Sequence, residues 1–153
     1  MSVIKIRLSN LSLQGTLSSL DFATFPNLLY FEINSNRFEG KIPHEIGNLS
    51  SILMLSLSDN PIKGHIPPEI WNLTTLNILD LSSCNLTGQI PHEIGNLRNL
   101  NLLLLGQNSF SGHIPEEIGM LSQLLELDLG RNSVRENSII NWKLDHVRKS
   151  LSL

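Results

Sequence analysis

A single motif recurs at one spacing along most of this chain, and it constrains the fold more than any other feature. The run GKIPHEIGNL begins at Gly40 and returns as GHIPPEIWNL, GQIPHEIGNL and GHIPEEIGML at Gly64, Gly88 and Gly112. The interval is 24 residues each time. Near-identical copies at one interval predict a stack of equal structural units rather than an irregular globular core.

Each unit also contains an upstream pattern, LxxLxLxxNxL. One copy uses Leu100, Leu103, Leu105, Asn108 and Phe110. The LxL alternation has a period of two, which predicts a short strand with leucines on one face and the intervening residues on the other. Successive units should therefore pair their strands in parallel, one strand per turn of a superhelix.

The period and the pattern resemble the leucine-rich repeat, and the GxIPxxIGxL half resembles the plant subclass found in receptor-like kinase ectodomains. The resemblance implies an α/β repeat solenoid, a right-handed superhelix with a short parallel concave sheet and a 3₁₀ or irregular convex side. It implies about six copies over residues 1–134, with a period of 24 to 25 residues. The implied location is extracellular or at the cell surface, and the implied function is protein or peptide binding for signal perception.

The repeat pattern ends after Val134, which leaves residues 135–153 as a tail. Ile140, Leu144, Val147 and Leu151 are spaced by four, three and four residues, as on one stripe of an amphipathic helix. Such a helix would cap the last unit. The alternative is that the tail is unrelated to the repeat.

One position of the pattern is an asparagine in four of the five clear copies and a cysteine in the other. An inward amide can satisfy backbone groups where the chain turns off the strand, because it has two donors and an acceptor. The cysteine at this position is interpreted as a buried small residue rather than a reactive thiol. The predicted ladder consists of Asn36, Asn60, Cys84, Asn108 and Asn132.

The residues at the outward strand positions are the candidate binding residues, since their side chains do not pack in the core. Neighbouring strands should lie about 4.8 Å apart, so outward apolar residues would form one contiguous strip. The alternatives are that exposed apolar residues are ordinary or that this face packs on other parts of a longer protein. The candidates are Tyr30, Glu32, Met54, Ile78, Asp80, Leu102, Leu104 and Asp128.

Composition argues against several other functions. A net charge of -3 provides no basic face for nucleic acid. Four histidines form two pairs at equivalent positions two units apart, His44 with His92 and His65 with His113. The members of a pair should lie on the order of 10 Å apart, which is too far for one metal ion to bridge. We find no Gly-rich phosphate loop, HRD motif or DFG motif, and no nucleophile elbow. The sequence therefore predicts neither a catalytic residue nor a metal or cofactor.

Four glycosylation sequons occur, at Asn10, Asn48, Asn72 and Asn85. They are weak support for an extracellular protein. No signal peptide or membrane span is visible in the sequence. Two functions remain open: a piece of a receptor-kinase ectodomain that binds a peptide, a protein or a co-receptor, and a freestanding interaction protein of the cell-wall enzyme inhibitor type. A truncated receptor remnant is a third alternative.

Overall fold

The computed structural model describes residues 3–135 and 147–150. Parallel strands from successive repeats form one long sheet in the order β1-β3-β5-β7-β9-β11-β13. Its members are short because the chain turns away as soon as the LxL pattern ends. They are β1 (Lys5–Arg7), β3 (Tyr30–Glu32), β5 (Met54–Ser56), β7 (Ile78–Asp80), β9 (Leu102–Leu104), β11 (Glu126–Asp128) and β13 (Arg148–Ser150).

A second line of strands follows the turn in each repeat. Within the described ranges these strands are β2 (Gln14–Thr16), β4 (Arg37–Glu39), β6 (Lys63–Gly64), β8 (Asn85–Gln89), β10 (Ser109–His113) and β12 (Ser133–Arg135). Short 3₁₀ segments complete the turns. In the first turn, η1 (Leu17–Ser19) follows Thr16 and η2 (Phe22–Thr24) follows Asp21. In the IPxxI motifs a proline precedes each segment and fixes φ there. These segments are η3 (His44–Asn48), η4 (Pro68–Asn72), η5 (His92–Asn96) and η6 (Glu116–Met120).

The leucines of the pattern point inward and build one continuous core. Leu55, Leu79 and Leu103 occupy the same register position in successive strands, and each is fully buried. Ile46, Ile70, Ile94 and Ile118 close the core from the 3₁₀ side and are equally buried. The predicted leucine-rich-repeat solenoid is therefore confirmed, and the described residues contain no α-helix.

The amphipathic helix predicted for the tail is wrong for the part that the structure describes. Arg148–Ser150 forms a strand that pairs with β11, and Val147 is buried. The backbone N–H of Leu129 donates to the Ser150 carbonyl at 2.9 Å, so the tail satisfies edge groups that a helix would leave unpaired. Ile140, Leu144 and Leu151 lie outside the described residues.

Trp71 departs from the repeat motif but leaves its turn regular. It replaces the glycine of the IPxxIG motif, and a bulky residue at that position would be expected to distort the turn. The 3₁₀ segment η4 instead has the same length as η3 and η5, with the same closing bond of 3.1 Å from Leu73 N–H to the Ile70 carbonyl. The indole is accommodated because it joins the hydrophobic core, where only 2% of Trp71 is exposed.

Candidate binding surface

Inward amides hold each concave strand at a fixed position relative to the next. The Asn60 amide group donates to the Leu57 and Ser58 carbonyls of its own repeat and to the Ile33 carbonyl of the preceding one, each at 3.0 Å. Its oxygen accepts the N–H of Phe38 at 2.9 Å. Asn36, Asn108 and Asn132 make the corresponding bonds. These bonds link neighbouring repeats through the backbone.

The residue before each ladder position adopts a left-handed conformation. φ is 53° at Asp59, 52° at Ser83 and 57° at Gln107. This conformation is uncommon for residues other than glycine, and the ladder bonds that follow it hold the turn in place. Because these φ values match, the backbone around Cys84 follows the same path as the backbone around the ladder asparagines.

Cys84 takes the ladder position but makes weaker bonds. Its thiol donates to the Leu57 and Ser82 carbonyls at 3.6 and 3.5 Å, distances typical of sulfur. Burial raises the pKa of the Cys84 thiol to about 11, and the nearby Asp80 and Asp59 charges also raise it. The thiol is therefore uncharged at neutral pH and is a poor nucleophile.

The strand register brings the outward apolar candidates together on the concave face. Tyr30, Met54, Ile78 and Leu102 are consecutive partners across four strands. All are half-buried, and Leu104 lies beside Leu102 in the same strand. We call Tyr30, Met54, Ile78, Leu102 and Leu104 the concave strip. At about 4.8 Å per strand, the column from Tyr30 to Leu102 extends roughly 14 Å.

Two candidates at one end of this surface already have partners within the chain. The Lys5 ammonium lies 4.5 Å from the centroid of the Tyr30 ring, and the Arg7 guanidinium lies 5.9 Å from it. Arg7 also pairs with Glu32 at 2.5 Å. The sequence analysis did not assign Lys5 and Arg7 to the site, although they stand in the same outward columns. Tyr30 and Glu32 are therefore less available to a ligand than Met54, Ile78 and Leu102.

The two candidate aspartates differ in their surroundings. Asp80 accepts hydrogen bonds from the hydroxyls of Ser56, Ser58 and Ser82 at 3.1, 2.7 and 2.7 Å, and from the Ser82 N–H at 3.1 Å. Its carboxylate therefore ties its own repeat to the preceding one. Asp128 accepts the Gly130 N–H at 2.9 Å through one oxygen. A Cβ at Gly106 would lie 2.5 Å from its other oxygen, so glycine is what leaves room for this carboxylate.

The other polar candidates do not form a further site. His44 and His92 lie on the convex side, and each contacts the glutamate that follows it, at 3.3 and 3.4 Å between Nδ1 and Oε2. No group of three or more potential metal ligands is found among the described residues. The four sequon asparagines are exposed: Asn10, Asn48, Asn72 and Asn85.

An apolar cavity lies in the first two repeats, and the sequence analysis missed it. Its volume is about 170 Å³, and Phe22, Phe25, Phe31 and Phe38 are among the residues that line it. Four of the five phenylalanines of the chain occur here, which is the sequence signal that could have indicated it. Val3, Ile4, Leu11 and Leu20 are exposed in the same part of the solenoid.

Comparison with known families agrees with this architecture. The sequence matches the family described as "Leucine-rich repeat region" over residues 6–149. The chain belongs to the leucine-rich repeat family. The match extends into the last described strand, β13, which fits its place in the sheet. A sequence comparison with curated proteins gave no match.

Several solved structures of leucine-rich repeat proteins are similar. The ectodomain of the receptor kinase GASSHO1/SCHENGEN3 from Arabidopsis thaliana, in complex with CASPARIAN STRIP INTEGRITY FACTOR 2, superimposes with a TM-score of 0.86 at 39% identity. The Arabidopsis receptor kinase HAESA, in complex with the peptide hormone IDA and the co-receptor SERK1, gives a TM-score of 0.81 at 39% identity. These alignments cover 93% and 88% of this chain.

The chain spans 17% of the GASSHO1/SCHENGEN3 chain and 22% of the HAESA chain. A plant ice-binding protein is also similar, with a TM-score of 0.75 and 30% identity over 86% of this chain and 42% of its own. One architecture therefore supports different functions, and the function of this leucine-rich repeat chain has to be argued from its own surface. Over the residues that the structure describes, no helix has the length and apolarity to cross a membrane.

Proposed function

We propose that this leucine-rich repeat chain binds an extended peptide or protein segment on its concave face, as part of a receptor-type protein at the cell surface. The observation that carries the proposal is the register of Met54, Ile78 and Leu102. These side chains point away from the core, lie in one column and are half-buried. A contiguous apolar surface of this kind is typical of an interaction site.

The geometry of the strip suits an extended ligand. Half-buried apolar side chains can be covered further by a partner, and each such contact gains free energy through the removal of apolar surface from water. Leucine-rich repeat solenoids generally act as binding scaffolds and not as enzymes, which fits this proposal.

The similar receptor ectodomains support the choice of ligand class. One of them is described in complex with a peptide hormone and a co-receptor. A co-receptor is accordingly a second candidate partner for the present chain. The extracellular location is part of the same proposal, and the exposed sequons at Asn48 and Asn72 are compatible with it. Mass spectrometry of the protein from its native source would show glycans at these asparagines if the proposal is right.

A binding screen tests the proposed function. A library of synthetic peptides, copied from secreted plant peptides, is screened against the chain, and the best binders are titrated. We expect the Met54→Glu, Leu102→Glu variant to lose binding at least tenfold, because it places two charges in the concave strip. The matched control is Leu20→Glu, Met120→Glu, which changes two exposed apolar residues outside the strip. Equal affinity of parent and strip variant would contradict the proposal.

The cell-wall enzyme inhibitor remains the alternative, and an independent assay separates it. Inhibition of a polygalacturonase by the purified chain, unaffected by the Met54→Glu, Leu102→Glu variant, would favour the inhibitor over the peptide-binding function. No inhibition together with strip-dependent peptide binding would favour the proposal.

A further inference from the structure

The two ends of the concave strip differ in charge. At the β1 end, Arg7 is neutralised by Glu32, and the Lys5 ammonium lies over the Tyr30 ring. At the other end, β11 presents Glu126 and Asp128 on the same face, because residues two apart in a strand point the same way. Both side chains are half-buried beside Leu102 and Leu104.

The carboxylates of β11 can accept further hydrogen bonds, whereas the Asp80 carboxylate already has partners on both oxygens. Asp80 receives four hydrogen bonds from serines within the chain, which occupies both of its oxygens. Within the described ranges Asp128 receives one, on Oδ1, while Oδ2 lies against Gly106. Arg148 is the partner of Glu126 in β13, but its side chain is exposed and forms no ion pair with described residues. An incoming cation can therefore reach Glu126 and Asp128.

We propose that the ligand is an extended peptide whose apolar residues lie over Met54, Ile78 and Leu102 and whose next part carries an arginine or lysine that binds Glu126 and Asp128. This inference rests on the proposed function and adds the chemistry and the orientation of the peptide. The apolar stem of the basic side chain would cover Leu102 and Leu104, while its head group meets the carboxylates. A charged hydrogen bond at such a place is stronger than a neutral one.

The distance between strands predicts how far apart the apolar and the basic residue lie in the peptide. Met54 and Glu126 are three strands apart in register, which is roughly 14 Å. An extended chain covers that length in about four residues at ~3.3 Å each. The basic residue is therefore expected about four positions from the apolar residue that contacts Met54.

A selection experiment tests this inference. Random peptides of twelve residues displayed on phage are selected against the parent chain and against Glu126→Gln, Asp128→Asn. We expect the parent to enrich peptides with an apolar segment and a basic residue about four positions away, and the variant to lose the preference for the basic residue. Alanine in place of that residue should weaken binding to the parent at least tenfold and leave binding to the variant within twofold.

A matched control separates a local effect from bulk charge. Glu45→Gln, Glu93→Gln also removes two negative charges, but from exposed glutamates on the convex side. It should retain the preference for the basic residue. Loss of the preference in this control would overturn the inference, because the effect would then be one of net charge.

The outcomes distinguish this inference from the function on which it rests. Selected peptides that depend on Met54 and Leu102 but bind equally well without Glu126 and Asp128 would refute the inference and leave the proposed function intact. Selected peptides whose binding is unaffected by Met54→Glu, Leu102→Glu, or no selected peptides at all, would refute the proposed function. Circular dichroism of each variant verifies that its fold is retained.

Discussion

Replacing Cys84 by asparagine is expected to stabilise the solenoid. The N–H of Ile62 is buried, and no described residue accepts a hydrogen bond from it. In the neighbouring repeats the equivalent groups donate to the ladder amides: Phe38 to Asn60 at 2.9 Å and Leu86 to Asn108 at 3.0 Å. A thiol cannot replace that acceptor well, because sulfur accepts only weakly.

The magnitude follows from the bonds gained. An asparagine at 84 gives the Ile62 N–H an acceptor, and a buried donor left without one costs ~1–3 kcal/mol. Its amide also replaces two sulfur bonds of 3.6 and 3.5 Å by N–H donors. Desolvation of the amide offsets part of this gain, so we expect a net increase of about 1–2 kcal/mol in the free energy of unfolding. In a chain of this length that corresponds to a rise of roughly 3–6 °C in Tm.

Urea unfolding followed by circular dichroism measures this change, with the Tm as a second readout. Cys84→Ala is the control, since it removes the thiol without supplying an acceptor, and it should be less stable than the parent. Asn108→Cys is the converse change and should cost stability in the same way. A Cys84→Asn variant no more stable than the parent would refute the reasoning that the missing acceptor at Cys84 costs stability.

Three further changes test other parts of the structure. Asn60→Ala removes three donated hydrogen bonds and one accepted hydrogen bond. Urea unfolding should therefore show a decrease of about 3 kcal/mol in the free energy of unfolding. A decrease below ~1 kcal/mol would contradict the structural role of the amide. Gly64→Ala should cost about 1–2 kcal/mol, because φ is +87° there and the new Cβ would lie 3.2 Å from Lys41 Cγ; unchanged stability would show that the turn tolerates the strain. Burial raises the pKa of Cys84 to about 11 from 9.0, so its neutral thiol contributes stability below pH 9 that is lost as the pH rises toward 11. Cys84→Ala should lack this part of the pH dependence, and an identical alkaline profile in both proteins would contradict the assignment.

The fold could be predicted from the sequence because one period decides which side chains face inward. Leu55, Leu79 and Leu103 are buried in register as the LxL pattern predicts. The strand β13 was not predictable in this way, since Arg148–Ser150 contains no leucine at the inward position. There the free backbone edge of β11 determines the structure, and that edge exists only in the folded chain.

The columns of outward residues in the candidate site could be predicted, but the contacts that each side chain makes could not. A period of two places Tyr30 and Asp80 outward, and both do lie on the concave face. The Lys5 ammonium lies over the Tyr30 ring, and three serine hydroxyls donate to the Asp80 carboxylate. Apart from the Ser82 bond, these contacts depend on rotamers and on residues 22 to 25 positions away, which no local pattern encodes.

The ladder amides also limit how such a chain can change in length. Each asparagine joins two carbonyls of its own turn to one carbonyl of the turn before, as Asn108 does with Leu105, Gly106 and Leu81. After insertion or removal of one complete turn, each asparagine still finds equivalent carbonyls for its three hydrogen bonds. A deletion of one or two residues between the strand and the asparagine would separate the amide from the two carbonyls of its own turn. This chain should therefore change in length by duplication or loss of whole turns, with indels of other sizes kept out of the segment between strand and asparagine.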